Sequence, residues 1–337
     1  MAKKVTIYDI AEELHLSPST VSRALTDSPL ISSRTISKVK KAAEEMGYSE
    51  KNSSFHEASI ITVIVPEINN HFYSKVISSI QEIIGDRYLV AIMCSNNSAQ
   101  TEREIVDKLN PSQIKCAIIS QSMDVKSCTY IEEAEKRGIK IILFNRIFYN
   151  GTCPKFMIDN YMDSYALTRH LVSTGRKRIA FAAKHYNCPI YKERIQAYKD
   201  VLMQNNLYFN PDYLIYSELT IEDTHEIIRR FINMKPRPDA IILPSYISTQ
   251  QALSIIRINN LSVPQDLAIV SFDEDPECKY STPSITGIER QLREIGEEIA
   301  KCALAICEKD GNFSGSMKVF SSNLIIRGSS FSCDSLN

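Results

Sequence analysis

The chain has 337 residues, enough for two or three domains that each bury their own core. Its 44% hydrophobic and 23% charged residues are ordinary for a globular protein, and no apolar run approaches the roughly 20 residues a membrane helix needs. A formal charge of −1 excludes bulk electrostatic attraction to nucleic acid, so any such contact must come from local patterning.

Met1 to Val5 lead into an amphipathic segment rather than the apolar core of a secretory signal, so a cytoplasmic location is expected. The nine cysteines, scattered from Cys94 to Cys333, form no C-x-x-C pair and are odd in number. A disulfide framework or a clustered metal site is therefore not expected, nor is any cofactor. The thiols read as reduced, mostly buried, small apolar groups.

In chain order, Thr6 and Asp9 form a capping-box pattern ahead of Ile7, Ile10, Ala11 and Leu14, which share one helical face. Ser17 then serves as N-cap with Pro18 at the first helical position, where its missing N–H costs nothing. Val21, Ala24 and Leu25 give this short helix an apolar stripe, and Ser19, Ser22, Arg23 and Thr26 project from the other side. After Pro29 a third helix starts at Ser32 or Ser33, with Ile36, Val39, Ala43 and Met46 inward and Gly47 as a stop. Three short helices, the first two joined by a tight turn, make a helix-turn-helix whose second helix offers a polar face centred on Arg23. The same spacing also fits a generic three-helix bundle, and seven Lys/Arg against six acids in residues 1–48 do not decide between them.

The residues themselves go further. Val5-Thr6-Ile7-Tyr8-Asp9-Ile10-Ala11, Leu16-Ser17-Pro18-Ser19-Thr20-Val21-Ser22-Arg23-Ala24-Leu25 and Ala42-Ala43-Glu44-Glu45-Met46-Gly47-Tyr48 closely resemble the headpiece of the lactose-repressor (LacI) family. The resemblance implies that Pro18, Ser19 and Arg23 hold base-reading positions, and that Thr6, Tyr8, Ser22 and Arg34 touch or brace phosphates. Arg23 has the fork that reads guanine bidentately; the bland alternative is a solvated surface arginine. Two departures stand out. His15 replaces the usual turn glycine, so a slightly reshaped turn is expected. After Tyr48 the family's hinge helix, with its minor-groove leucine, gives way to Ser49 to Ser59, about four residues shorter and rich in Ser, Lys and Glu, which reads as a flexible linker.

From Ile60 short apolar runs alternate with helical stretches. Candidate strands are 60–65, 89–94, 117–120, 140–144, 179–183, 240–243 and 267–272. Helices are predicted near 72–85, 100–109, 129–137, 163–173, 192–205, 222–234, 247–259 and 290–308. Continuous Ile/Val runs suit strands buried on both faces, and the alternation implies parallel sheets, so an α/β fold of two doubly wound lobes with a crevice at the strands' carboxyl ends is predicted. No phosphate loop, dinucleotide fingerprint, nucleophile elbow or H-E-x-x-H accompanies it.

The resemblance to the LacI family continues through Val63 to Tyr73, Leu143 to Arg146, Ile158-Asp159-Asn160, Gly175 to Phe181, Arg194, Val263 to Glu274 and Leu324 to Ser330. It implies a periplasmic-binding-protein-like sensor behind the headpiece: residues 1–48 headpiece, 49–59 linker, 60–330 sensor and 331–337 tail. The lobes would comprise 60–160 with 290–322, and 161–289 with 323–330. It places Arg146, Asn160, Arg194, Ser245 and Asp273 toward a polar effector, with Phe72 as a stacking platform; ion pairing, capping and core packing are the structural alternatives for these residues. The function implied is a homodimeric, sequence-specific repressor of transcription on double-stranded operator DNA, released or recruited by a small polar metabolite such as a sugar, with no membrane partner and no enzymatic activity. One departure concerns Pro244-Ser245-Tyr246, which stands where the family has Asn-Asp. Loss of that carboxylate leaves open gating by a partner protein; a solute-binding protein without DNA is a further alternative.

Overall fold

The computed structural model describes residues 5–25, 28, 30–46, 48, 60–184, 188–218, 220–273, 275–309 and 315–331. They divide into two compact units, Met1–Ala58 and Ser59–Asn337. The linker from Ser49 to Ser59 and the tail beyond Phe331 lie outside the described residues, as do Thr26 and Gly47.

The first unit holds helices α1 (Ile7–Leu14), α2 (Pro18–Leu25) and α3 (Ser33–Glu45). Thr6 and Asp9 close the capping box at the start of α1, and Ser32 caps α3 by accepting from the Thr35 amide. Ile10, Ala11, Val21, Ala24, Val39 and Ala43 form the buried core, one apolar stripe from each helix. His15 takes the left-handed conformation itself (φ 53°, ψ 42°), its amide bonding back to Glu12 while Leu16 N reaches Ala11 O. A histidine thus holds the left-handed position that glycine takes most cheaply.

The second unit is two parallel-sheet lobes. The first six-stranded sheet runs β11-β5-β4-β3-β1-β2, with β1 (Ile60–Val65), β2 (Leu89–Cys94), β3 (Ile114–Ile119), β4 (Lys140–Phe144), β5 (Lys155–Ile158) and β11 (Met317–Phe320), all neighbours parallel. The second runs β12-β10-β9-β8-β6-β7, with β6 (Ile179–Ala183), β7 (Leu214–Tyr216), β8 (Ala240–Leu243), β9 (Ala268–Ser271), β10 (Thr286–Arg290) and β12 (Ser322–Ile325), antiparallel only at β10–β12. Helices α4 (His71–Ile84), α5 (Ala99–Asp107), α6 (Thr129–Lys136) and α11 (Leu292–Lys309) cover the first sheet. The second is covered by α7 (Asn160–Ser173), α8 (Pro189–Gln204), α9 (Ile221–Asn233) and α10 (Tyr246–Ile258).

Strands β1, β6, β8 and β9 are buried along nearly their whole length, which is why they read as unbroken apolar runs. Each such Ile or Phe contributes about 1.5–3 kcal/mol by leaving water. Strands β5, β7, β10, β11 and β12 were not predicted; they are three to five residues long and lie toward the sheet margins. Helices α4 and α11 meet so closely that a Cβ on Gly296 would lie 2.6 Å from Ser79 Cβ and from the Val76 carbonyl.

The chain crosses between lobes at Ile158–Asn160, at Arg290–Leu292, and at Ser321, the single residue separating β11 from β12. The segment after β12 closes the second lobe: Ser329 Oγ donates to Ile269 O at 2.6 Å and accepts from Thr286 N at 2.9 Å. Ser330 Oγ lies 2.7 Å from His170 Nε2 and 2.6 Å from Thr286 Oγ1. Burial holds His170 below its ordinary pKa of 6.5. Its stabilisation is therefore intact above about pH 6.5 and fades as the pH falls, because the unfolded chain takes up a proton that the fold refuses. His170→Gln is expected to flatten the loss of stability as the pH falls below about 6.5, read from urea unfolding; parallel curves for variant and parent would exclude this role for His170.

Candidate functional site

Two surfaces collect the residues singled out above. On the first unit, Ser17 caps α2, its Oγ accepting from Thr20 N at 3.1 Å and lying 2.8 Å from Ser19 Oγ. With Val21 and Ala24 buried, helical periodicity turns Pro18, Ser19, Ser22 and Arg23 outward, and all four are exposed. Thr6, Tyr8 and Arg34 are exposed as well, Tyr8 to 68%. The Thr6 hydroxyl is engaged locally, donating to Asp9 Oδ2 at 2.5 Å. The outward face of this eight-residue helix thus carries small polar side chains and one arginine, Arg23.

The second surface follows from topology. In both sheets strand order reverses at the second strand, between β1 and β3 in one and β6 and β8 in the other. Loops leaving these neighbours diverge to opposite faces and open a crevice at the carboxyl ends. There lies a cavity of about 100 Å³, reached by Glu67 after β1, Met123 after β3, Arg146 after β4, Lys184 after β6, Ser245 after β8 and Asp273 after β9. Five of the six predicted effector residues line it: Phe72, Arg146, Arg194, Ser245 and Asp273. Asn160 stands behind, accepting from Arg194 Nε at 3.0 Å. A second cavity of about 310 Å³ adjoins it, sharing Phe72, Asp273 and Arg290.

Most of these polar groups are already engaged within the chain. Arg146 Nη1 donates to Asn97 Oδ1 at 2.9 Å, and the same oxygen accepts from Met123 N at 3.1 Å, tying three loops together. Asn145 and Asn97, in the left-handed region (φ 60° and 56°), make the sharp turns that allow this. Arg194 is 7% exposed and lies over Phe272, its guanidinium carbon 3.9 Å from the ring centroid. Burial, and then the charge of Arg290, push its pKa down. Phe72 packs edge-on to Tyr73 at 5.1 Å and borders the first lobe's core. Ser245 Oγ caps α10 through Ser248 N at 3.2 Å.

Arg290, at the second crossover, was not singled out from the sequence. Its side chain is 8% exposed; Nη1 donates to Asp273 Oδ1 at 2.7 Å, and Nε stands 3.7 Å from Asp163 Oδ2. Burial works against the Arg290 charge, but Asp273 and Asp163 outweigh it and hold the pKa above its ordinary value. Asp273 is positioned in turn by Gly287, where a Cβ would sit 2.9 Å from the Asp273 carbonyl oxygen. Tyr73 was missed too: its hydroxyl bridges Ser120 Oγ (3.0 Å) and Asn145 Nδ2 (3.1 Å) across the cavity floor. Among the described residues no group of three or more His, Cys, Asp or Glu could hold a metal ion, and no helix is long and apolar enough to cross a membrane.

Residues 6–50 match the family profile of bacterial regulatory proteins, lacI family, and residues 168–330 match a periplasmic binding protein-like domain. The chain is 29% identical over 330 residues to the HTH-type transcriptional repressor CytR of Escherichia coli K12, covering 96% of each protein. Its fold is similar to that of the lac repressor dimer bound to operator and the anti-inducer ONPF (TM-score 0.74, 17% identity, 98% of this chain and 100% of that one). It is also similar to a CelR–cellobiose complex (TM-score 0.73, 20% identity, 97% and 100%).

Removing Asn160 should strand the buried Arg194 Nε. Asn160→Ala is expected to cost about 1–3 kcal/mol in urea unfolding, whereas a change within about 0.5 kcal/mol would place Arg194 in contact with water instead.

Proposed function

This chain belongs to the lacI family of bacterial regulatory proteins, and we propose that it is a cytoplasmic, sequence-specific repressor of transcription controlled by a small polar metabolite held between its two lobes. The observation that carries this reading is the combination in one chain of a groove-sized helix led by Arg23 and a charged crevice at the switch points of two parallel sheets. Neither half alone separates a regulator from a DNA-packaging protein or a solute carrier. The relative CytR, by its name a helix-turn-helix repressor, covers both halves.

In this reading two copies place their α2 helices in successive major grooves of a near-palindromic operator, about one helical turn apart. Arg23, with Pro18 and Ser19, reads base edges, while Thr6, Tyr8, Ser22 and Arg34 engage phosphates and set register. In the cleft Arg146, Arg194, Ser245 and Asp273 grip polar groups of the effector, Phe72 supplies an apolar wall, and Asn160 orients Arg194. A ligand that prefers one arrangement of the lobes shifts operator affinity, and the operator shifts ligand affinity by the same factor. None of these side chains is arranged as nucleophile with adjacent base, which supports a binding role for the cleft.

The chain's weak net charge makes the test sharp, since little non-specific attraction masks base reading. Arg23→Ala is expected to cost about 1–3 kcal/mol on the selected operator and little on random duplex of equal length, by fluorescence anisotropy at fixed salt. Equal losses on both would remove Arg23 from base recognition.

A further inference from the structure

Arg290 is the unusual group in the cleft. Its Nε and Nη2 are sealed from solvent and make no hydrogen bond among the described residues, while Nη1 is taken by Asp273. Buried N–H groups on a charged side chain without partners are expensive, and a native fold keeps them where something else completes them. Asp163 Oδ2, at 3.7 Å from Nε, compensates the charge from behind but stands beyond hydrogen-bond distance. Arg290 lines both cavities of the crevice and so stands on the wall they share.

The surrounding charges point the same way. Among its described lining residues the inner cavity gathers Arg146, Lys184, Arg194 and Arg290 against Glu67 and Asp273. With Asp163 behind Arg290 and Asp275 acting on it as well, four cations meet four carboxylates, yet Arg290 still works against the charge of Arg194. A neutral sugar would not relieve the repulsion between Arg194 and Arg290; an anionic oxygen group would.

Building on the effector reading above, we propose that the metabolite carries a carboxylate or phosphate group, and that the unpartnered N–H groups of Arg290 receive it as the lobes part to admit the ligand. A guanidinium fork matches two anionic oxygens of either group. Asp273, already bonded to Arg290 Nη1, then competes with the bound anion for that guanidinium while it grips other polar groups of the ligand. Because Arg290 ends β10 at a crossover and approaches Asp163 in the first turn of α7 beyond another, anion binding there acts directly on the hinge.

The test uses the full chain and inorganic phosphate as probe. The melting midpoint is followed by tyrosine fluorescence against added phosphate, with sodium chloride of matched ionic strength as reference. Phosphate should raise the midpoint saturably beyond chloride. Arg290→Met should weaken this response by about 10- to 100-fold. Arg290→Lys keeps the positive charge while losing the fork, and should lose most of the response with the fold intact. Asp273→Asn should strengthen it, because the competitor is neutralised. A phosphate response that survives in both Arg290 variants overturns the proposal, since the ion then binds elsewhere. If uncharged pentoses, hexoses or nucleosides raise the midpoint and phosphate does not, the anion assignment falls and the effector reading stands. If neither class does, both fall.

Discussion

The reversal of strand order in two parallel sheets is the constraint from which the functional geometry follows. Once β1 and β3 lie side by side, as do β6 and β8, their loops part and leave a crevice at each sheet's carboxyl edge. Both sheets carry the same order, a sixth strand aside, so the two crevices come from the same local rule applied twice. Continuous Ile and Val runs enforce it: strands buried on both faces cannot slip to an edge without exposing an apolar side. Glu67, Met123, Arg146, Lys184, Ser245 and Asp273 are neighbours for that reason, though up to about 200 positions separate them in sequence.

The hinge is where charge and topology meet. Three crossings join the lobes, and polar residues flank them: Asn160 and Asp163 beyond the first, Arg290 at the second, Ser322 after the third. Asn160 orients Arg194, and Arg290 reaches both Asp163 and Asp273. Such pairs gain little net stability after desolvation, but their geometry is exacting, and a ligand that enters them alters the hinge rather than a passive wall. The proposed regulation needs that property: an effector matters only to the extent that it prefers one lobe arrangement over another.

Much of this was legible in the sequence for physical reasons. Thr6 with Asp9, Ser17 with Pro18 and Ser32 are local capping signals, and the helices begin where those signals stand. Strands β1, β2, β4, β6 and β8 declare themselves as apolar runs at the predicted bounds. The marginal strands do not: β7 and β12 are too short and too partly covered to show a period, and β11 alternates exposed Met317 and Val319 with half-buried or buried neighbours. Helix α8 begins at Pro189, earlier than its apolar pattern suggested, because proline fits the first turn. Arg290 was invisible for a different cause. The sequence pattern opens a helix at residue 290, whereas the arginine ends β10, and the crossover folds it between two carboxylates. His15 taught the converse, that a residue poorly suited to a left-handed turn still makes one when the flanking helices demand it.

The proposed regulator works only if α2 recognises a sequence in duplex DNA. The most direct measurement is selection: the purified full chain is incubated with sheared genomic DNA at low ionic strength, with and without metabolite extract, and bound fragments are sequenced. Enrichment of one near-palindromic motif with half-sites about one helical turn apart, weakening steeply with added salt, is the predicted result. Recovery of fragments in proportion to their abundance, under every condition, would contradict it.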